Sequence, residues 1–382
     1  MFDMLRSGLL SSATVKFYTD GLPQEELNQI EKSVLQLGVI VSLLSFLFPI
    51  LYYALGYYYT KPELQVIAIG IVPLSFVSLL PSVATWFAQA RQNFKAILKI
   101  RLTIQLTFFA AIAAGFFWNL SLVSVFYGYC LSYVLAAVWA VAGGQLKISA
   151  LFGSLGTWLH RIFKFGSFSM GTLLGSNLLR NSDTYIIMGF LNEASVAMYN
   201  VPNRILGMLD IPIQAFSSAD YPRFVDLIHR GKHNDLQQGF NKGLGLSILV
   251  VWPAALVVFF AAKWLVVLVA GVQYENSYLI LRIFAIYAAL LPVDRYTGLV
   301  LDAAGRPKKN MYKVLLMLVA NVVLDIVVLQ LGYGLEAVAM VSLVTYSVGI
   351  TFGFIAIRDL VKLQIFQSVA SAITLVLAKV RR

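Results

Sequence analysis

The feature that most constrains this chain is the alternation of charge between its long apolar runs. Apolar segments of about 20 residues, the length that crosses a bilayer, follow one another from about Leu37 to Ile357. Of the 29 lysines and arginines, 21 lie in six of the joining stretches: 14–35, 90–99, 145–165, 219–243, 303–313 and 358–382. The alternate connections hold only Lys61 and Lys263. Since cytoplasmic loops carry the excess of cations, the pattern predicts a polytopic membrane protein with a cytoplasmic C-terminus.

Composition supports the same class. The chain is 59% hydrophobic and 12% charged, about half the charged fraction of soluble domains. The net charge of +11 is explained by the cation-rich loops, so we expect no nucleic-acid partner. Because lipid offers the backbone no hydrogen-bond partner, the spans must be helices and the fold class is all-α. About ten spans are predicted: 37–58, 64–88, 102–118, 122–142, 165–190, 194–218, 244–262, 277–300, 311–331 and 335–357.

Two pairs of segments look alike at long range. Residues 16–51 share their plan with 223–256, and 91–111 resemble 306–326, with both pairs offset by 205–215 residues. Such repeats build transporters from two similar halves, so we expect two pseudo-symmetric helical bundles. The predicted organisation is an N-terminal bundle (1–144), a cytoplasmic linker (145–164), a C-terminal bundle of six spans (165–357) and a cytoplasmic amphipathic tail (358–382). The repeat also predicts that the chain is N-terminally truncated by about one span and most of another.

Charges inside the apolar runs are the candidate functional residues, because a charge in lipid is costly. All those placed deep in the spans fall in the second half: Arg180, Asp183, Arg204, Asp210, Arg282, Asp294, Arg295 and Asp325. Arg180 and Asp183 are three residues apart and can pair on one helix face. That pair can be structural; alternatively, Arg180 and Arg204 bind an anionic ligand, because the planar guanidinium suits pyrophosphate.

Two further arginines and several acids extend this set. Arg282 and Arg295 are thirteen residues apart in one predicted span, which puts them near a common face at different depths. The aspartates outnumber the arginines in these runs. Asp210 and Asp325 are therefore candidates for holding a coupling proton or Na⁺. Prolines inside spans are expected to kink them: Pro73, Pro81, Pro212, Pro253 and Pro292.

No catalytic, cofactor-binding or metal-binding motif is present in the sequence. The three histidines all lie in predicted cytoplasmic loops and are not read as a metal site, and the chain lacks a phosphate-binding glycine loop, a paired-histidine helix and a nucleophile elbow. The predicted outer connections are only about four to seven residues long, too short for an external active site. The sequence therefore favours a carrier over an enzyme, and neither a metal nor a cofactor is predicted.

The segment RNSDTYIIMGFLNEASVAMYNVPNRI (180–205) carries the most informative motif. It has Arg-x-x-Asp, an apolar turn ending in Gly, and Tyr-x-x-Pro-x-Arg, with these positions at Arg180, Asp183, Gly189, Tyr199 and Arg204. With AGRPKKN (304–310) and GYGLEAVAM (332–340), it resembles the multidrug/oligosaccharidyl-lipid/polysaccharide exporter superfamily. Within that superfamily the chain resembles the lipid-linked oligosaccharide flippases of O-antigen and capsule pathways. Two departures stand out: Asp325 occupies a position where Asn is more usual, and the first two of the family's twelve spans are largely absent.

The resemblance implies a function for the charged spans. It implies a flippase that moves a lipid-pyrophosphate-linked oligosaccharide across the bacterial cytoplasmic membrane for surface polysaccharide synthesis, with membrane lipids, a polymerase and glycosyltransferases as partners. The substrate cavity would then include Arg180, Asp183, Arg204, Arg282, Asp294 and Arg295. The alternatives are a cation-coupled multidrug exporter of the same superfamily, an inactive truncated remnant, or a membrane polymerase.

Overall fold

The computed structural model describes residues 2–56, 65–146 and 156–380, and this part of the chain is helical throughout, without strands. It divides into two compact units, Met1–Met170 and Gly171–Arg382. The division falls inside one long helix, Leu159–Phe190, and not in a loop. Within the predicted linker 145–164, residues 147–155 lie outside the described residues. The predicted span ends at Tyr58 and Leu64 lie outside them as well.

Within the described residues, seven helices of the N-terminal unit precede that long helix. They are α1 (Phe2–Tyr18), α2 (Gln24–Leu43), α3 (Leu47–Ala54), α4 (Gln65–Val77), α5 (Leu79–Ala90), α6 (Phe94–Phe117) and α7 (Leu122–Ala142). The starts of α6 and α7 are capped, since the Asn93 and Ser121 side chains accept the backbone N–H groups of Ala96 and Ser124. Helices α1, α2 and α5 surround a core that includes Leu10, Val34 and Phe87.

The C-terminal unit contains the remaining helices. They are α8 (Leu159–Phe190, which begins in the N-terminal unit), α9 (Glu193–His229), α10 (His233–Ala270), α11 (Tyr278–Ala288), α12 (Leu291–Ala303), α13 (Pro307–Gln330), α14 (Leu335–Ile357) and α15 (Ile365–Val380). The turn from α8 to α9 is tight, and Asn192 caps α9 by accepting the N–H of Ser195 at 2.9 Å. Helix α15 packs along α10, where the side chain of Ser368 donates to Asn241.

Helices occupy the predicted spans within the described residues. Among the described residues, seven helical segments are long and apolar enough to cross a membrane, and an eighth if Val272–Ala288 and Leu291–Ala303 form one bent span. Helices α8 and α9, the two others predicted as spans, are 32 and 37 residues long. They are less apolar because they carry the charged residues singled out above. The chain is a multi-pass membrane protein.

The predicted kink at Pro292 is present, and it corrects one expectation. Helices α11 and α12 meet at a bend of 43° immediately before this proline. Proline supplies no N–H to the preceding turn, which explains the break. Arg282 lies on α11 and Arg295 on α12, so the inference that they share a face of one continuous helix is wrong.

The two units repeat each other in detail. Helices α6 and α13 are both 24 residues long and begin at positions 94 and 307. The turns before α2 and α10 each place a glycine at positive φ, Gly21 at 69° and Gly231 at 66°. The pattern of buried and exposed residues is the same, residue by residue, over 31–40 and 241–250. In this region the register between the halves is therefore 210 residues.

Two cations lie where charge counting did not place them. Arg6 in α1 is 2% exposed, so the N-terminal unit also buries a charge, contrary to the expectation that all deep charges fall in the second half. Lys313 was counted with a cytoplasmic loop, but it lies inside α13 with its side chain 3% exposed. Both errors have one cause: a window of sequence reports position along the chain and not the direction of a side chain.

Candidate functional site

A cluster of polar side chains is buried inside the C-terminal unit. Its centre is the amide of Asn321 on α13, which donates to Asp183 Oδ1 on α8 at 2.6 Å and to Asp325 Oδ2 at 2.9 Å. The carboxyl groups of Asp183 and Asp325 thus share one amide donor. Thr345 on α14 donates to Asn321 Oδ1 at 3.0 Å, and the Tyr199 hydroxyl on α9 donates to Asp183 Oδ2. Four helices thus converge on two carboxyl groups.

The two carboxyl groups are withdrawn from solvent. Asp325 is 0% exposed and Asp183 8% exposed. Asn321 and Asp325 lie one helical turn apart on the same face of α13, which aims both at α8. The Oδ1 atom of Asp325 is buried and has no hydrogen-bond partner in the part of the chain that the structure describes. Buried polar oxygens without a partner are uncommon, and this one marks a position where a proton or a cation can be held.

Aromatic side chains close one side of this cluster. Tyr199 packs edge-on against Phe284, Phe284 against Tyr287, and Tyr287 stacks on Tyr346 with 5.1 Å between ring centroids. Tyr199, Phe284 and Tyr287 are buried core residues of the unit. They surround the carboxyl groups with low-dielectric material, which strengthens any electrostatic interaction made there.

Arg180 does not pair with Asp183. Its Nη2 donates to Asp210 Oδ2 on α9 at 2.9 Å, and Gln214 donates to the same oxygen at 2.8 Å. The side chain of Arg180 is nevertheless 59% exposed. Residues three apart in a helix lie about 60° apart around it, so Arg180 and Asp183 share a face, but their side chains reach different neighbours on other helices. The guanidinium of Arg180 remains accessible for a further ligand.

Arg204 is exposed on α9 and makes no hydrogen bond or ion pair to any of the described residues. Arg180 and Arg204 lie at about the same distance from the turn between α8 and α9, with Arg180 before the turn and Arg204 after it. Arg180 lies ten residues before the end of α8, and Arg204 eleven residues after the start of α9. Both are therefore about 15 Å from that turn, near half the thickness of a bilayer core.

Arg282 is placed differently from the other arginines. Its Nε donates to the Phe259 carbonyl at 3.3 Å, and its guanidinium carbon lies 5.4 Å and 5.2 Å from the ring centroids of Phe259 and Tyr278. Contact with two rings stabilises the cation where it stands. The structure places Arg282 between two aromatic rings in the first turns of α11.

Asp294 and Arg295 have partners of their own. Lys313 donates to Asp294 Oδ1 at 2.8 Å and to its backbone carbonyl at 3.0 Å. This lysine, missed as a buried residue by charge counting, neutralises Asp294. Arg295 is exposed, and its Nε donates to Ser217 Oγ on α9 at 3.4 Å. Asp294 is therefore committed to an ion pair, while the Arg295 guanidinium is largely open.

Two groups stand out among the sequence-derived residues, and Arg282, Asp294 and Arg295 belong to neither. One is the buried carboxyl cluster, to which Asp183 and Asp325 belong. The other is an exposed group on α8 and α9: Arg180 with its partner Asp210, and Arg204. Tyr199 was recognised as part of a motif, whereas Asn321 and Thr345 were missed. Asn321 could have been found, because it precedes Asp325 by one helical turn and carries a side chain suited to the same ligand.

Comparisons with known families agree with the fold. A family model described as "Polysaccharide biosynthesis protein" matches residues 1–228, and one described as "MatE" matches residues 169–327. No curated protein sequence matches the chain significantly.

Solved structures of the same fold are similar over nearly the whole chain. A structure titled "Crystal structure of MATE in the bent conformation" has a TM-score of 0.81 at 16% identity, over 94% of this chain and 85% of the other. A transporter of the same superfamily from Pyrococcus furiosus has a TM-score of 0.79 at 15% identity, with the same coverage. The lipid II flippase MurJ has a TM-score of 0.61 at 14% identity, over 97% of this chain and 80% of its own. The expectation of a carrier and not an enzyme is confirmed, because these families and structures are transporters and flippases. The chain belongs to the polysaccharide biosynthesis protein family, within the multidrug/oligosaccharidyl-lipid/polysaccharide exporter superfamily of membrane transporters.

Proposed function

We propose that this transporter is a cation-coupled flippase that moves a lipid-pyrophosphate-linked oligosaccharide across the bacterial cytoplasmic membrane for surface polysaccharide synthesis. The observation that carries the proposal is the pair of exposed arginines in mid-span, Arg180 and Arg204. The polysaccharide family match over residues 1–228 supports the substrate class.

The depth of these arginines limits what they can face. Each lies about 15 Å from the turn joining α8 and α9, so neither can reach that interface easily by extending its side chain. A charged side chain in mid-membrane faces a water-filled cavity or a polar partner, because the hydrocarbon core offers it neither water nor a hydrogen-bond partner. The exposed face of α8 and α9 therefore borders a polar space in this proposal. A pyrophosphate group would offer Arg180 and Arg204 the bidentate acceptors that guanidinium groups bind best.

The carboxyl cluster supplies the coupling step of this proposal. Two adjacent buried carboxylates repel each other unless a proton or a cation is shared between them. The oxygens of Asp183, Asn321, Asp325 and Thr345 come from three helices, α8, α13 and α14. Oxygen ligands of this kind suit a hard cation such as Na⁺. A proton shared by the two carboxyl groups would remove their repulsion equally well. Asp325 keeps the coupling role inferred from the sequence, Asp183 joins it, and Asp210 is assigned instead to positioning Arg180.

The second candidate is a cation-coupled multidrug exporter. The MatE family model matches residues 169–327, and that match favours this reading. The charge of the transported molecule would distinguish such an exporter from a flippase. An open Arg204 beside Arg180 attracts an anionic cargo and repels a cationic one.

Genetic complementation separates the two functions. We expect expression of this protein from its native gene to restore surface polysaccharide in a bacterial strain that lacks its own flippase, provided that the strain makes the matching sugar. We expect no increase in resistance to cationic drugs in a strain without efflux pumps. The Arg204→Glu variant serves as the matched control: it should lose polysaccharide export. Drug resistance conferred by the wild type without polysaccharide export would contradict the flippase and establish the exporter.

Orientation in the membrane can be tested by labelling. From the distribution of cations, we propose that the turns holding Gln92, Asn234 and Lys308 are cytoplasmic, as is the C-terminus. Asn192 and Gln273 then lie on the outer side. Single cysteines at the first three positions, in a Cys130→Ser background, should react with an impermeant maleimide only after the cells are opened. Cysteines at the other two should react in intact cells, and labelling of position 234 in intact cells would reverse the topology.

A further inference from the structure

One apolar span in each unit is interrupted next to a proline. The interruption in the C-terminal unit bends the span by 43°, whereas the one in the N-terminal unit is the single residue Ser78 within a span that runs from Gly70 to Ala90. In the N-terminal unit α4 ends at Val77 and α5 begins at Leu79, with Pro81 in its first turn. In the C-terminal unit α11 ends at Ala288 and α12 begins at Leu291, followed by Pro292. A helix end leaves its last carbonyl groups without N–H partners, and proline adds another missing donor. Inside a membrane these carbonyl groups need donors from elsewhere.

In the N-terminal unit the donors come from α2 and α1. The Ser75 carbonyl, in the last turn of α4, accepts the Ser42 hydroxyl at 3.3 Å and the Arg6 guanidinium at 2.5 Å. Arg6 also donates to Ser78 Oγ, in the break itself, at 2.9 Å and forms an ion pair with Asp3. A buried guanidinium is costly unless its N–H groups are bonded. The carbonyl and hydroxyl groups at this helix end accept from both Nη atoms of Arg6, while its Nε has no hydrogen-bond partner among the described residues.

In the C-terminal unit the donor comes from α10. The indole N–H of Trp252 donates to the Ala289 carbonyl, at the end of α11, at 3.1 Å. Trp252 lies 210 residues after Ser42, in the register that the burial pattern of α2 and α10 defines. The equivalent position therefore caps the equivalent break in both units, although one residue is a serine and the other a tryptophan. Packing alone does not require a donor at both positions.

We propose that the two breaks are hinges, and that Ser42 with Arg6 in one unit and Trp252 in the other are positioning residues that set their bend. The N-terminal cap holds the observed arrangement by three hydrogen bonds and the C-terminal cap by one. The loss of a cap frees its helix end to take other angles. Neither hinge contacts the carboxyl cluster through these bonds. The inference goes beyond the proposed function, because it holds whichever molecule the transporter carries.

The C-terminal hinge can be tested with Trp252→Phe, which removes the indole donor and keeps an aromatic side chain. The matched control is Trp264→Phe, because Trp264 lies on the same helix, is exposed, and makes no hydrogen bond to the described residues. Spin labels at Leu279→Cys and Leu299→Cys, in a Cys130→Ser background, report the distance across the bend. The purified full chain is measured in lipid nanodiscs without substrate.

We expect Trp252→Phe to change the relative population of bent states by about 2- to 12-fold, the range for one hydrogen bond. A change of about 10° at the bend moves a label on an arm of about 15 Å by about 3 Å, which pulsed spin-label measurements resolve. Trp264→Phe should leave the distance distribution unchanged. An unchanged distribution in Trp252→Phe as well would overturn the hinge in this unit.

The N-terminal hinge is tested by transport and by protein level together. Ser42→Ala and Arg6→Lys should each accumulate normally but transport more slowly, with Arg6→Lys the milder change because a lysine keeps the charge and one donor. Arg101→Lys on the exposed face of α6 is the control. If Ser42→Ala and Arg6→Lys both transport at the wild-type rate, Ser42 and Arg6 have no positioning role. Because the distance measurement uses no cargo, its failure is distinguishable from failure of the proposed flippase.

Discussion

Asp183→Asn is expected to abolish cation-coupled transport while leaving the protein folded. Asp183 is one of two carboxyl groups that share the Asn321 amide, and asparagine preserves its shape and its hydrogen bond to Tyr199. The negative charge that would hold a proton or Na⁺ is lost. A hydrogen-bonded charged group contributes about 1.5–3 kcal/mol, so cation affinity should fall about 10- to 100-fold. We expect Asp325→Asn to have a smaller effect, because the resemblance indicates that Asn is more usual at this position.

The measurement uses proteoliposomes in which the Na⁺ gradient and the pH gradient are varied separately. Thermal unfolding provides an independent readout, because an ion that binds the folded state raises the melting temperature with its concentration. That rise should be present in the wild type and absent in Asp183→Asn. Asp226→Asn, which removes a half-exposed partner of Arg230 on α9, is the matched control. Full coupling by Asp183→Asn would remove the carboxyl cluster from the mechanism.

Arg204→Gln and Arg180→Gln are each expected to reduce surface polysaccharide at least tenfold. Each removes a charged, bidentate donor for phosphate. Arg204 is exposed and has no partner in the part of the chain that the structure describes, so its replacement should cost little in packing. Arg204→Lys should restore only part of the activity, since a lysine supplies a point charge without the planar fork. Protein level should stay near that of the wild type.

Arg180 needs a second variant because its removal leaves Asp210 unpaired. The double variant Arg180→Gln with Asp210→Asn removes both charges, so any defect that remains belongs to the lost guanidinium. Arg230→Gln, in a surface ion pair, is the control for loss of one positive charge. Normal polysaccharide export by Arg204→Gln together with normal export by the double variant would assign both arginines to structure alone.

The sequence predicted the membrane class, the helices and the bend at Pro292 because these depend on local properties. Apolar length, charge between spans and a missing N–H are all readable along the chain. The partners of the charged residues were not readable. Arg180 pairs with Asp210, 30 residues away, and not with Asp183 on its own helix. Which of two helical neighbours a side chain meets depends on how α8 and α9 pack.

The carboxyl cluster shows where sequence reasoning can be extended. Asp325 and Asp183 were each singled out as costly charges, but nothing in a single sequence indicates that positions 183 and 325 meet. Asn321 carried a usable signal, since a polar amide one turn from an aspartate in an apolar helix points to a shared ligand or partner. Thr345 carried none, because threonine is common in membrane helices where its hydroxyl bonds to its own backbone.

The ion pair between Lys313 and Asp294 bears on how the protein is made. A lysine or an aspartate at the centre of an apolar helix raises the free energy of insertion by about 2.5–3.5 kcal/mol. Lys313, the seventh residue of α13, lies nearer the helix start, so its cost is below that figure. Here the two belong to consecutive helices, and α12 emerges from the ribosome before α13. Neither charge is neutralised until both helices are present. Helices α12 and α13 therefore enter the bilayer most cheaply as a hairpin, with the short turn at 304–306 still joining them on one side.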